Sequence, residues 1–94
     1  KLYLVIVDNR KDSSTYMKWD STILRGENKK QILLPPGVGN GFYVLSDQSV
    51  FHYKWCYEGE YNDVEQQFTL KWNDPKIGID WPCTDPILSK RDRL

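Results

Sequence analysis

Excess charge of either sign is missing from this chain. Thirteen basic side chains meet thirteen acidic ones, for a formal net charge of +0. No overall field draws it to nucleic acid or to an acidic membrane, and neither is expected as a partner. Long apolar runs are missing too. None reaches the roughly 20 residues of a membrane helix, and no segment reads as a signal peptide, so a cytoplasmic protein is expected. Two cysteines, Cys56 and Cys83, make no disulfide framework and read as reduced, partly buried thiols. His52 is the only histidine. There is no glycine-rich phosphate loop before a helix, no zinc-type spacing and no Ser-His-Asp arrangement. No internal repeat, low-complexity segment or convincing amphipathic helix appears either.

What is present is aromatic and strand-forming. Ninety-four residues allow one small domain, and thirteen aromatics are enough to fill a β-sandwich core and leave some for a flat ligand. Residues 2–7, Leu-Tyr-Leu-Val-Ile-Val, are apolar at both parities, which predicts a strand covered on both faces. Residues 8–14 read as a polar loop. Residues 15–25 read as one or two further strands, with Tyr16, Trp19 and Ile23 as core candidates. The stretch 31–55 reads as strand, rigid turn, strand, turn, strand. Pro35 and Pro36 lack amide donors, and Gly37, Gly39 and Gly41 allow tight bending or close approach. Asn40 sits among them, expected on a loop over a pocket. Phe68, Leu70 and Trp72 alternate with polar residues, as do Ile77, Ile79 and Trp81, so both runs read as short strands. Six or seven short strands with Pro/Gly turns predict an antiparallel sandwich or barrel. Leu4, Ile6, Phe42, Val44, Phe68 and Leu70 are expected to be buried in it.

Several ordered motifs carry a resemblance. Residues 35–42 read Pro-Pro-Gly-Val-Gly-Asn-Gly-Phe, followed by Leu45-Ser46 and the strand end Tyr53-Lys54. Then come Trp72-Asn73-Asp74-Pro75, Ile77-Gly78-Ile79-Asp80-Trp81-Pro82, and Pro86-Ile87-Leu88-Ser89 with Asp92. Together these resemble the dTDP-4-dehydrorhamnose 3,5-epimerase family, whose loop runs Pro-x-Gly-x-Ala-His-Gly-Phe. The resemblance covers nearly the whole chain. It implies an all-β, cupin-like jelly-roll sandwich or barrel. It also implies that residues 1–94 are a single partial domain, the C-terminal half of a longer one. The Arg-Gly-Leu-His motif that carries the family's base would lie in the other half.

The resemblance also implies roles. Tyr53 matches the family's general acid. On the residues alone it also reads as a core tyrosine with a bonded hydroxyl. Strand alternation puts Phe51, Tyr53 and Trp55 on one face and His52, Lys54 and Cys56 on the other, so His52 reads as a surface or interface residue. Asp92 matches the aspartate that orients the catalytic histidine. Asn40 stands where the family commonly has histidine, in a loop lining the sugar and phosphate. Asparagine keeps hydrogen-bonding capacity but carries no charge. Tyr57 and Tyr61 fall where a family tyrosine stacks on the nucleotide base, and the altered loop around them points to a nucleotide or sugar other than the usual one. One histidine cannot build a cupin metal site, so no metal is expected, and the chemistry needs no cofactor. The implied activity is epimerisation of a nucleoside-diphosphate 4-keto-6-deoxy sugar by a homodimer, for surface polysaccharide synthesis. A non-catalytic sugar-nucleotide-binding module, a 3-epimerase and a ketoisomerase are the other readings. Residues 1–94 alone are expected to lack activity, because no inward-facing base is present.

Overall fold

The computed structural model describes residues 1–56, 58 and 68–93. Its framework is one antiparallel sheet of three strands: β1 (Leu2–Asp8), β2 (Trp19–Leu24) and β3 (Val38–Val44), in the order β2-β1-β3. Among the described residues one 3-10 turn, Arg91–Arg93, lies near the end of the chain, and no α-helix occurs. The all-β reading therefore holds. Of the six or seven expected strands, three are formed among the described residues.

β1 is central because it is apolar on both sides of the pleat. Leu2 and Leu4 are buried on one face, and Val5 and Val7 on the other. Val5 is only 1% exposed. β1 pairs Leu4 with Thr22 of β2 and with Phe42 of β3. Directly paired residues point the same way, so each face can be followed across the sheet. One face carries Val5 and Val7 with Ser21, Trp19, Gly41 and Gly39. The other carries Leu2, Leu4 and Ile6 with Leu24, Thr22, Asp20, Val44, Phe42 and Asn40.

The C-terminal segment seals the first face. Ile77 joins Val5 and Val7 in the buried core, with Tyr3, Met17, Trp19, Leu70, Ile79 and Trp81 packed around them. The glycines of β3 make this close packing possible. A Cβ on Gly39 would lie 3.1 Å from Leu70 Cδ1, and one on Gly41 would lie 3.4 Å from Trp81 Cη2. Trp81 donates its indole hydrogen to the Trp72 carbonyl at 2.7 Å and meets Tyr3 edge-on, with ring centroids 6.1 Å apart. The Tyr3 hydroxyl donates to the Asp80 carbonyl at 3.0 Å.

The stretch 31–55 differs from expectation in an instructive way. Residues 31–34 form no strand, and the rigid turn is shorter than the run of prolines and glycines suggests. Val38 N–H donates to the Pro35 carbonyl at 3.3 Å, with Gly37 at φ +87°. That is the proline-then-glycine pattern a type II turn requires. From Val38 onward the chain is already strand, so Asn40 lies on β3 rather than on a loop. Gly39 and Gly41 serve face packing, not bending.

Residues 50–56, 68–72 and 77–81 also form no strand. In 77–81 the alternation marks side chains that reach the sheet rather than a hydrogen-bonded ladder, and in 68–72 only Leu70 reaches it while Phe68 is exposed. Turns hold this region instead: the Asp74 carbonyl accepts from the N–H groups of Ile77 and Gly78 at 3.1 and 3.0 Å. The expected core is corrected accordingly. Leu4 is buried, and Ile6 and Leu70 are half-buried, but Phe42 is 47% exposed and Phe68 97% exposed. Val44 is exposed as well. Phe42 and Val44 sit on the face of Leu2 and Leu4, opposite the Ile77 cluster, and are its exposed part.

Candidate functional site

Two chemically distinct clusters flank the sheet. The first closes one end of β1. Asp8 is buried there, and its carboxylate is surrounded by donors. Arg10 Nε donates to Oδ1 at 2.9 Å and the Arg10 amide to the same oxygen at 3.0 Å. Arg10 Nη2 reaches Oδ2 at 3.1 Å, Ser13 Oγ at 2.6 Å, and Thr15 Oγ1 donates there too. The Arg10 guanidinium, then the Ser13 and Thr15 hydroxyls, hold the Asp8 carboxyl far below the usual carboxylate range. In return Asp8 raises the Arg10 pKa. The supposed polar loop 8–14 is thus a clamp. Its Arg10 stem lies against Gly37, where an added Cβ would come within 2.5 Å of Arg10 Cγ. The Asn9 N–H donates to the Gly37 carbonyl at 3.0 Å. β1 and the turn before β3 are locked together at this point.

The second cluster lies on the open face. Asn40 and Phe42 point to the same side of β3, and Asn40 is exposed. Phe42 begins a row of rings: Phe51 lies 4.7 Å away, centroid to centroid, tilted by 41°. Tyr53 follows at 5.8 Å from Phe51, tilted by 34°. Phe51 is half-buried, while Tyr53 is 61% exposed and Trp55 is also exposed. Tyr53 is therefore not buried. Nor is it a core tyrosine with a bonded hydroxyl, because among the described residues that hydroxyl has no hydrogen-bond partner. His52 is exposed and takes no part in the ring row.

Asp92 lies elsewhere. It accepts from Ser89 Oγ at 2.7 Å, and its N–H donates back to that oxygen at 3.2 Å, bracing the 3-10 turn. Beside it, Arg91 Nε donates to Thr69 Oγ1 at 2.7 Å and Nη2 to the Phe68 carbonyl at 3.2 Å. Asp92 and Arg91 line a pocket with Thr69, Leu70 and Trp72. Leu70 packs on the sealed face, through Gly39. Asn40 and the ring row ending in Tyr53 lie together, while Asp92 lines the pocket beside Leu70 and is bonded to Ser89. Tyr57 and Tyr61 lie outside the described residues. Among the described residues no group of three or more His, Cys, Asp or Glu converges as a metal would need, and no helix is long and apolar enough to cross a membrane.

Two features escape a reading by segment. One is the contact of Phe42 with Phe51, nine positions apart; the signal available was only that both are large and apolar. The other is the Asp8 clamp, whose Asp-x-Arg-x-x-Ser-x-Thr spacing was visible but reads equally well as a solvated loop.

Comparison with known proteins gives a consistent answer. The family model described as dTDP-4-dehydrorhamnose 3,5-epimerase matches residues 1–94. A protein of that name from Shigella flexneri is 39% identical over 92 residues, covering 98% of this chain and 49% of the relative. One from Methanothermobacter thermautotrophicus is 39% identical over 98 residues, covering 99% of this chain and 50% of the relative. One from Escherichia coli K12 is 42% identical over 89 residues, covering 94% of this chain and 46% of the relative. The chain spans about half the length of the curated relatives it matches.

Proposed function

Because the chain belongs to the dTDP-4-dehydrorhamnose 3,5-epimerase family, we propose that the full-length protein epimerises a nucleoside-diphosphate 4-keto-6-deoxy sugar at carbon 3, carbon 5 or both. The ketone at carbon 4 acidifies the neighbouring C–H bonds. A base removes one proton, leaving an enolate. An acid then returns a proton to carbon from the opposite face, which inverts that centre. The redox state of the sugar does not change, so the reaction calls for no cofactor. What it needs is a base and an acid on opposite sides of the ring, each with a suitable pKa.

Tyr53 is the acid in this reading. Its support is the family match through Tyr53-Lys54, together with an exposed phenol that has no hydrogen-bond partner among the described residues. The phenol gives its proton to the enolate carbon and regains one from solvent. The base is the histidine that the resemblance places in the half of the family domain outside this chain, and Asp92 orients it. Asn40 faces the sugar and phosphate, and the resemblance assigns Tyr57 and Tyr61 to nucleotide binding, in the region from which a family tyrosine stacks on the base. The full domain is a cupin-like jelly roll, acting as a homodimer in the cytoplasm for surface polysaccharide synthesis.

The test is solvent exchange. The full-length protein is incubated in deuterated water with a dTDP-linked 4-keto-6-deoxy sugar, and deuterium at carbons 3 and 5 is counted. Exchange at either carbon is expected. Tight binding without exchange would make the protein a sugar-nucleotide-binding module and would overturn the enzymatic reading.

A further inference from the structure

The segment that carries Tyr53 is not part of the sheet. Residues 50–56 form no strand, so no ladder of backbone hydrogen bonds sets the height or register of the phenol above β3. Phe51 is the one half-buried residue in that segment, and the other six are exposed. Its ring touches Phe42 on one side, at 4.7 Å between centroids, and Tyr53 on the other, at 5.8 Å. Phe42 is itself fixed, since β3 pairs it with Leu4, buried on the central strand. The position of Tyr53 is therefore handed on from Leu4 to Phe42, from Phe42 to Phe51, and from Phe51 to the phenol.

From this geometry we infer that Phe51 is a positioning residue. Its ring, held between Phe42 and Tyr53, sets where the Tyr53 hydroxyl stands over the face that carries Asn40. The inference rests on the reading of Tyr53 as the proton donor. Aromatic pairs suit the task because tilted ring contacts have a preferred spacing and angle, whereas an aliphatic side chain of similar size imposes neither. A proton donor is sensitive to placement, and an error of about 1 Å can cost up to about 10²-fold in rate.

The experiment is a double-mutant cycle in the full-length protein, with formation of the inverted sugar as the assay. Phe51→Leu keeps an apolar side chain and removes the flat ring. It is expected to lower kcat about 10-fold or more with KM changed less than about threefold. Phe51→Tyr keeps the ring and is expected to retain most of the wild-type kcat. In a Tyr53→Phe background, Phe51→Leu is expected to cause no further loss, because there is no proton left to place. An unchanged kcat in Phe51→Leu would overturn the inference. So would an equal loss in both backgrounds, or loss of the native circular dichroism spectrum, since each makes Phe51 a structural residue. If Tyr53→Phe alone leaves the rate unchanged, the reading of Tyr53 as acid fails, and the inference fails with it for a different and visible reason.

Discussion

The two faces of the β2-β1-β3 sheet are built from the same strands and are used in opposite ways. On the face of Val5 and Val7, the strand residues opposite them on β3 are glycines, and Leu70 and Trp81 from the C-terminal segment press in against these. On the face of Leu4, the partner on β3 is Phe42, which stays 47% exposed and passes contact outward to Phe51 and Tyr53. One side chain per position decides the difference. A residue without a Cβ lets another segment pack down against the strand, while the large ring of Phe42 stays part-exposed beside a buried Leu4. A strand of alternating glycine and larger residues gives its two faces different neighbours.

Substitutions can break this comparison. Trp81→Ala on the sealed face removes a ring, an indole hydrogen bond to Trp72 and the edge contact to Tyr3. It should lower unfolding free energy by about 3 kcal/mol, the lower end for a large aromatic because the residue is only half-buried. Denaturant titration reads this directly. Tyr53→Phe on the open face should do the reverse. Turnover should fall by about 10²-fold, while stability stays within about 0.5 kcal/mol, as for an exposed site. If Tyr53→Phe destabilised as much as Trp81→Ala, the two faces would not differ in use.

The turn that feeds β3 gives a sharper test. Gly37→Ala places a Cβ against the Arg10 stem at a φ of +87°. A cost of about 1–3 kcal/mol is expected, with Gly26→Ala as a control, since nothing lies within 4 Å of its added Cβ. Acid should find the same corner. The Asp8 carboxyl is lowered in the folded state by Arg10, Ser13 and Thr15, so its contribution is fully present above the unfolded aspartate pKa of about 3.9. It is lost as pH falls below that value toward the depressed folded pKa. Stability should be insensitive to Asp8 between about pH 5 and 7 and should decline below about pH 4, and Asp8→Asn should remove that part of the decline. The smallest effect is expected from His52→Gln, which should leave turnover within a few fold, since His52 is exposed and outside the ring row. A large loss there would invert the assignment of residues 51–55 to faces.

Much of this was legible along the chain, and the failures have identifiable causes. β1 was readable because six successive apolar residues admit only an element covered on both sides. The turn at residues 35–38 was readable because proline followed by glycine matches one turn type. β3 was hidden by its glycines, which argue for a bend when taken one at a time. Taken two apart, between Val38, Asn40 and Phe42, they are a period-two pattern with one empty face. Residues 68–72 and 77–81 were misread for the converse reason. In 77–81 every second side chain does face the core, yet alternation is silent on whether the backbone has a ladder partner, and in 68–72 it misplaced Phe68, which is exposed.

The sequence by itself determined the family, the all-β class and the central strand. These depend on local periodicity, on turn chemistry and on the order of short motifs, all of which are properties of neighbours in the chain. Only the tertiary structure decided that Leu70 and Trp81 descend on Gly39 and Gly41, that Asp8 gathers Arg10, Ser13 and Thr15, and that Tyr53 stands exposed at the end of a row of rings. Each of these sets a side chain against others the pattern does not name, from two positions away between Asp8 and Arg10 to forty along the chain between Gly41 and Trp81. Contact at that range is chosen by the competition of all apolar groups for the same buried surface, and no window of sequence contains that competition.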